Sequence, residues 1–356
     1  MLKNKIYDSE RAILRDPRSG LRIIRLSHGP CISMNMYFEM CSFTDDDSYV
    51  LFLSQRWAGR DAPFDLFRAR TDGMELVQIT EYDDLSGIVV SPVTNRVFYF
   101  TGGDVRSCDI FSLKEETLAR APGSLPTRQG SLASVDLKGE QYFASCLDSK
   151  GVASLFRVRV PGGKVDTLYQ SQMQGHIHVN PPGDTLYFCD YKKSGGNNYL
   201  IDTDGKNIRR YPFEQFAHHS WLGETGKMQG TLLPPGHALV TYKEGDASPE
   251  ALTEGRYYWH SGASRDAQWI VSDTNWPQEG IFLLHIPSKT VSYVCNPRSV
   301  PSHPQWTHPH PSLSSRLKFV LFNSDMTGVG QVYLAELSDE FLAQAQSGYE
   351  CRGEFL

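Results

Sequence analysis

Short apolar runs alternate with polar turns along the whole chain. Tyr49-Val50-Leu51-Phe52 follows Thr44-Asp45-Asp46-Asp47-Ser48, and Arg96-Val97-Phe98-Tyr99-Phe100 follows Ser91-Pro92-Val93-Thr94-Asn95. Tyr142-Phe143 follows Asp136-Leu137-Lys138-Gly139, and Leu186-Tyr187-Phe188 follows Asn180-Pro181-Pro182-Gly183-Asp184. Further units open at His218-His219-Ser220-Trp221-Leu222 and at Trp259-His260-Ser261-Gly262, and a last one precedes Leu317-Lys318-Phe319-Val320-Leu321-Phe322. Runs this short, rich in aromatic and β-branched residues and bounded by turn residues, predict strands rather than helices. Taking Thr44, Ser91, Asp136, Asn180, Leu222, Gly262 and Ser312 as the mouths of successive turns gives a repeat of roughly 45 residues, close to the period of a four-stranded propeller blade. The pattern therefore predicts an all-β, seven-bladed β-propeller, one domain spanning residues 1–356. No unit carries a Trp-Asp dipeptide, so the repeat is not of the WD40 type.

Between these units, Phe64-Asp65-Leu66-Phe67-Arg68-Ala69-Arg70 runs into Asp72-Gly73, and Tyr199-Leu200-Ile201 runs into Asp204-Gly205. Both are hairpin signals. Leu21-Arg22-Ile23-Ile24-Arg25-Leu26 precedes the first unit and is surplus to it. Pairing with the last blade would let this N-terminal strand close the ring and remove its open edges. Residues 338–346 read as a short terminal helix.

Composition narrows the function classes. Aromatics make up 12% of the chain, which agrees with β-structure, and the formal charge of −6 leaves no basic footprint for nucleic acid. Seven cysteines without a CxxC pair argue against a disulfide framework and for reduced thiols. The first residues lack the apolar core of a secretory leader, and no run is long enough to span a membrane, so the expectation is a cytoplasmic protein. Oligomeric state leaves no mark in the sequence.

Candidate chemistry lies in the histidines. Counting back two and four positions from each turn mouth gives residues on one strand face. In four consecutive blades this register holds His178 and His176, then His218, then His260, then His310 and His308. The innermost strands of a propeller line its channel, so imidazoles in step would converge there, as ligands, as acid–base groups or as packed polar residues. The stretch Ser302-His303-Pro304-Gln305-Trp306-Thr307-His308-Pro309-His310-Pro311-Ser312 adds an amide beside two histidines of like direction, half of a divalent metal site. Arg56, Trp57 and Arg60 sit in a loop of the first unit, where arginine forks suit carboxylates and an indole suits a sugar ring.

Gln305-Trp306-Thr307-His308-Pro309-His310-Pro311-Ser312, followed by Val320-Leu321-Phe322-Asn323-Ser324-Asp325-Met326-Thr327-Gly328, resembles the last blade of the oligogalacturonate lyases. Those enzymes are cytoplasmic seven-bladed propellers that cleave short pectin fragments by β-elimination with bound Mn²⁺. The resemblance implies a metal set of Gln305, His308 and His310 with His260 from the preceding blade, and His218 as the Brønsted base, with His219 in reserve on the other face. Where the family carries an arginine before the outer turn of blade four, this chain reads Asn197-Asn198-Tyr199. Four neutral ligands leave open positions on an octahedral ion and keep its full charge for a substrate carboxylate, which favours Mn²⁺ over tetrahedral Zn²⁺. The implied substrate is an acidic oligosaccharide; on their own chemistry Arg56 and Arg60 are candidates to contact it, and His176 and His178 to contact sugar or to orient metal ligands. The competing expectations are a propeller that binds acidic sugars without cleaving them, and a lyase or isomerase acting on a different uronic acid glycoside.

Overall fold

The structure is a computed structural model that describes residues 2–55, 57, 59, 62–126, 133–172, 174–191, 197–211, 213, 216–300 and 305–347. The chain forms seven antiparallel sheets of four or five strands, the blades of a seven-bladed β-propeller. Two compact units divide them. Glu81–Glu214 holds the second, third and fourth blades; Met1–Thr80 with Gln215–Leu356 holds the first, fifth, sixth and seventh. Among the described residues, the single α-helix is Asp339–Gln346, and no helix is long and apolar enough to cross a membrane.

Strands of one blade are sandwiched between neighbouring blades, so both of their faces are apolar. Phe319–Ser324 shows the alternation. Val320 and Phe322 pack with Val271, Leu283 and Val294 of the sixth blade, while Leu321 between them packs with Phe43, Val50 and Phe52 of the first. Gln331–Glu336 splits in the same way, with Tyr333 and Ala335 on one side and Val332 and Leu334 on the other. In the second unit Phe143 and Leu155 of the third blade meet Leu186 and Phe188 of the fourth.

The last blade is completed from the other end of the chain. Arg22–Arg25 pairs with Gln331–Glu336 through Ile23–Ala335, Ile24–Leu334 and Arg25–Tyr333, and Ala12–Arg15 adds a strand outside it. The surplus N-terminal strand thus takes the position its sequence predicts. Ile6–Tyr7 goes to the first blade instead, on Leu76–Gln78. The helix begins where Ser338 Oγ accepts the N–H of Phe341 at 3.2 Å, and it buries Phe341 and Ala345, one turn apart, against the sixth and seventh blades.

Each inner hairpin is closed by a backbone hydrogen bond from the turn mouth to the residue five further on. Thr44 donates to Tyr49, Asp136 to Gln141, Asn180 to Thr185 and Leu222 to Lys227. In the sixth and seventh blades the equivalent donors are Ser264, to Trp269, and Ser314, to Phe319. The turn mouths there are two residues later than Gly262 and Ser312. With this correction, the position four before the mouth is Met40, Gly87, His176, His218, His260 and His310 in the blades where it is described. Four consecutive blades carry histidine at one structural position.

In the second, fourth, fifth and sixth blades that position lies in a bulge. Strand pairing slips by one residue between Ser86 and Val89, Gly175 and His178, Ala217 and Ser220, and Tyr258 and Ser261. Gly87, His176, His218 and His310 take the left-handed conformation, with φ of 57°, 49°, 57° and 44°. Side-chain residues seldom adopt it, and bulges of this kind re-aim a side chain out of the sheet's regular pleat.

Candidate active site

His260, His308 and His310 come together within the first unit. One ring nitrogen from each lies within 4.8 Å of the others. The ring centroids of His260 and His310 are 4.2 Å apart, and each is 5.5 Å from that of His308. His260 and His310 are buried, and His308 is half-buried. His260 projects from the inner strand Tyr258–Ala263; His308 and His310 flank Pro309 just before the inner strand Ser312–Leu313.

Asp273 organises the group. It lies in the buried strand Trp269–Thr274, and its carboxylate accepts the His260 N–H at 2.7 Å and lies 2.8 Å from His260 Nδ1. The N–H that the bulge removes from the ladder is therefore satisfied by a side chain, and the His260 ring is held through Nδ1. A carboxylate behind a histidine is the usual support of a metal ligand. Burial pushes Asp273 up to about 7, against the hydrogen bond from His260 and the fields of His218 and His308.

The donors suit a cation. Burial, reinforced by neighbouring His260, His308 and His218, holds His310 well below the ordinary imidazole range, so its ring is neutral at neutral pH. His310 Nε2 is buried and makes no hydrogen bond. Leaving such an atom unsatisfied costs about 1–3 kcal/mol. A divalent cation taking that nitrogen's lone pair would remove the penalty.

His218 stands beside the triad and is not one of its members. Its ring lies 4.6 Å from that of His260, and it meets Trp259 edge-on at 4.5 Å and Phe38 at 5.4 Å. His219 points the other way: it is 4% exposed, with Nε2 3.1 Å from the Phe216 carbonyl and Nδ1 3.4 Å from the Tyr242 hydroxyl. Both nitrogens of the reserve residue are thus engaged inside its own blade.

Gln305 begins the 3₁₀ turn Gln305–Thr307 and is exposed; its carbonyl accepts the His308 N–H at 3.0 Å. His176 and His178 lie on Gln174–Val179 in the second unit. His178 is buried against Tyr187, and half-buried His176 is 6.3 Å from Tyr191. At blade four, Asn197 Oδ1 accepts a hydrogen bond from Arg210 Nη2 at 3.2 Å, so a guanidinium is present on the adjoining strand. Arg56 and Arg60 lie outside the described residues.

Sequence reasoning missed an aromatic cover. Tyr37 and Phe38 follow the strand Ser33–Met34 and lie over the histidines, Tyr37 at 4.6 Å from His310 and Phe38 at 5.1 Å from His260. A Cβ on Gly262 would stand 2.9 Å from the Phe38 carbonyl, so glycine is what lets this segment approach the sixth blade. The Asp273 role was also missed, since it depends on the pairing of Tyr258–Ala263 with Trp269–Thr274.

No family model matches the chain. It is 23% identical to an oligogalacturonide lyase of Pectobacterium atrosepticum, over 91% of this chain and 95% of that protein. It is 24% identical to an oligogalacturonate lyase of Dickeya dadantii, over 95% and 99%. Among solved structures it is similar to an oligogalacturonate lyase in complex with manganese, with a TM-score of 0.79 and 20% identity over 96% of this chain and 100% of that one. An oligogalacturonate lyase from Vibrio parahaemolyticus gives 0.77 and 17% over 95% and 100%. The family that the last blade resembles is thus the family that the comparisons return, over more than nine-tenths of the chain.

Proposed function

We propose that the protein is a lyase that cleaves short oligogalacturonides by β-elimination. The observation that carries this reading is the buried His260–His308–His310 group with His218 beside it, in a chain similar throughout to proteins named for that activity. His260, His308 and His310 would hold a divalent cation, with Gln305 as a fourth ligand and Mn²⁺ as the candidate, since a relative of the same fold is in complex with manganese. Such an ion supplies a Lewis acid for the uronate carboxylate.

The chain's own residues do the rest. Asp273 fixes the His260 ring through Nδ1. His218, on its bulge and outside the triad, takes the proton from C5 of the uronate. The C5–H electron pair forms the C4=C5 double bond, the C4–O bond breaks, and the departing oxygen takes a proton from solvent. Tyr37, Phe38 and Trp259 wall the site with aromatic rings and keep bulk water from the proton acceptor. His176, His178, Arg56 and Arg60 are proposed substrate contacts, and the compartment is proposed to be the cytoplasm.

The test is spectroscopic. Di- and trigalacturonate incubated with the protein and Mn²⁺ should give the ultraviolet absorbance of an unsaturated uronide, lost with EDTA and regained with Mn²⁺. His218→Ala should lower kcat by about 10²–10⁴-fold while Mn²⁺ remains bound. A Mn²⁺-loaded protein that yields no unsaturated product from any uronide would leave a non-catalytic acidic-sugar-binding propeller.

A further inference from the structure

The segment that carries His308 and His310 lacks the usual means of being held in place. Pro309 and Pro311 have no N–H to give, and strand pairing begins only at Ser312. Its carbonyls are nevertheless fixed one after another. Asn323 Nδ2 donates to the His308 carbonyl at 3.1 Å, the Asn323 N–H donates to Pro309 at 2.9 Å, and Asn35 Nδ2 donates to His310 at 2.6 Å. The two asparagines also hold each other. The Asn35 N–H donates to Asn323 Oδ1 at 2.7 Å, and Asn323 Nδ2 donates to Asn35 Oδ1 at 3.1 Å. Both are buried, at 3% and 0% exposure, and they come from opposite ends of the chain.

Three consecutive carbonyls, each with a directed donor, determine the peptide planes on both sides of Pro309. Those planes set where the two imidazoles point, and His310 is in addition held at a left-handed φ of 44°. Hydrogen bonds made in a low-dielectric interior are stiff and reinforce one another. An amide is needed at both positions, because each side chain must donate to a carbonyl and accept an N–H or amide at the same time.

We propose that Asn35 and Asn323 are positioning residues that aim His308 and His310 at a shared divalent cation. This deepens the reading given above and rests on it only in taking those two rings as ligands. The amide pair binds the backbone carbonyls of His308 and His310 and acts on their rings through that backbone.

The test uses the full chain and Mn²⁺ alone. Free and bound Mn²⁺ are titrated by electron paramagnetic resonance, and folding is checked by the thermal melt in EDTA. Asn323→Asp keeps the volume and removes the donor to His308. Asn35→Ala removes the donor to His310 and carries the same readout if the first variant does not fold. The expected result is about a tenfold or larger loss of Mn²⁺ affinity in a folded variant, the usual scale for groups that orient ligands, with an altered bound-Mn²⁺ spectrum. A purely structural pair would lower the melting temperature and leave the Mn²⁺ affinity of the folded protein unchanged; that outcome overturns the proposal while leaving the cation site standing. A wild-type chain that binds no Mn²⁺ overturns both.

Discussion

At the scale of single residues, the site depends on histidines in backbone states that most side chains avoid. His218 and His310 are left-handed, at a cost of about 1–3 kcal/mol each. His260 escapes that conformation, and Asp273 takes up its displaced N–H. The spacing of the histidines was legible because the turn mouths, most of them polar, recur. Their common position was not, since the count used Gly262 and Ser312, whereas the hairpins close at Ser264 and Ser314. Nor did the sequence disclose Asp273, whose role depends on strand pairing across its blade. Asp273→Asn tests that role. With the acceptor behind His260 weakened, Mn²⁺ affinity should fall about 10–100-fold. Calorimetric titration checks it, and an unchanged affinity would mean that the His260 ring orients without the carboxylate.

At the scale of strands and turns, alternation carried most of the information. Phe319–Ser324 and Gln331–Glu336 send successive side chains into different interblade clusters, so an apolar run with no polar face reads correctly as a sandwiched strand. Leu321 is fully buried between the seventh and first blades. Leu321→Ala should cost about 2–5 kcal/mol in chemical denaturation, and a loss under 1 kcal/mol would deny it a place in a packed core. The bulges stayed invisible to this reasoning because counting by twos assumes unbroken pairing. Gly262 marks a second blind spot, for it faces the Phe38 carbonyl across two blades that are far apart in sequence. Gly262→Ala should push the Tyr37-Phe38 segment off the histidines, lower stability by about 1–3 kcal/mol and weaken substrate turnover together. Wild-type melting and kinetics in this variant would show that the segment has room to spare.

For the whole molecule, the blade count and the closing N-terminal strand were legible from the repeat and from one strand too many. The two further N-terminal strands, Ile6–Tyr7 and Ala12–Arg15, were not, because short edge strands with exposed side chains lack an apolar signature. Deleting residues 1–26 strips the partner from Gln331–Glu336 and leaves an apolar strand edge open. Size-exclusion chromatography should then find aggregates, and a monodisperse, cooperatively melting product would contradict the pairing.

That shared last blade has a bearing on biosynthesis. Asn35 is made 275 residues before His310, whose carbonyl it holds. The nascent chain cannot assemble the histidine group as it emerges. An ion can be bound there only by a chain made through its seventh blade, from whatever pool that chain meets.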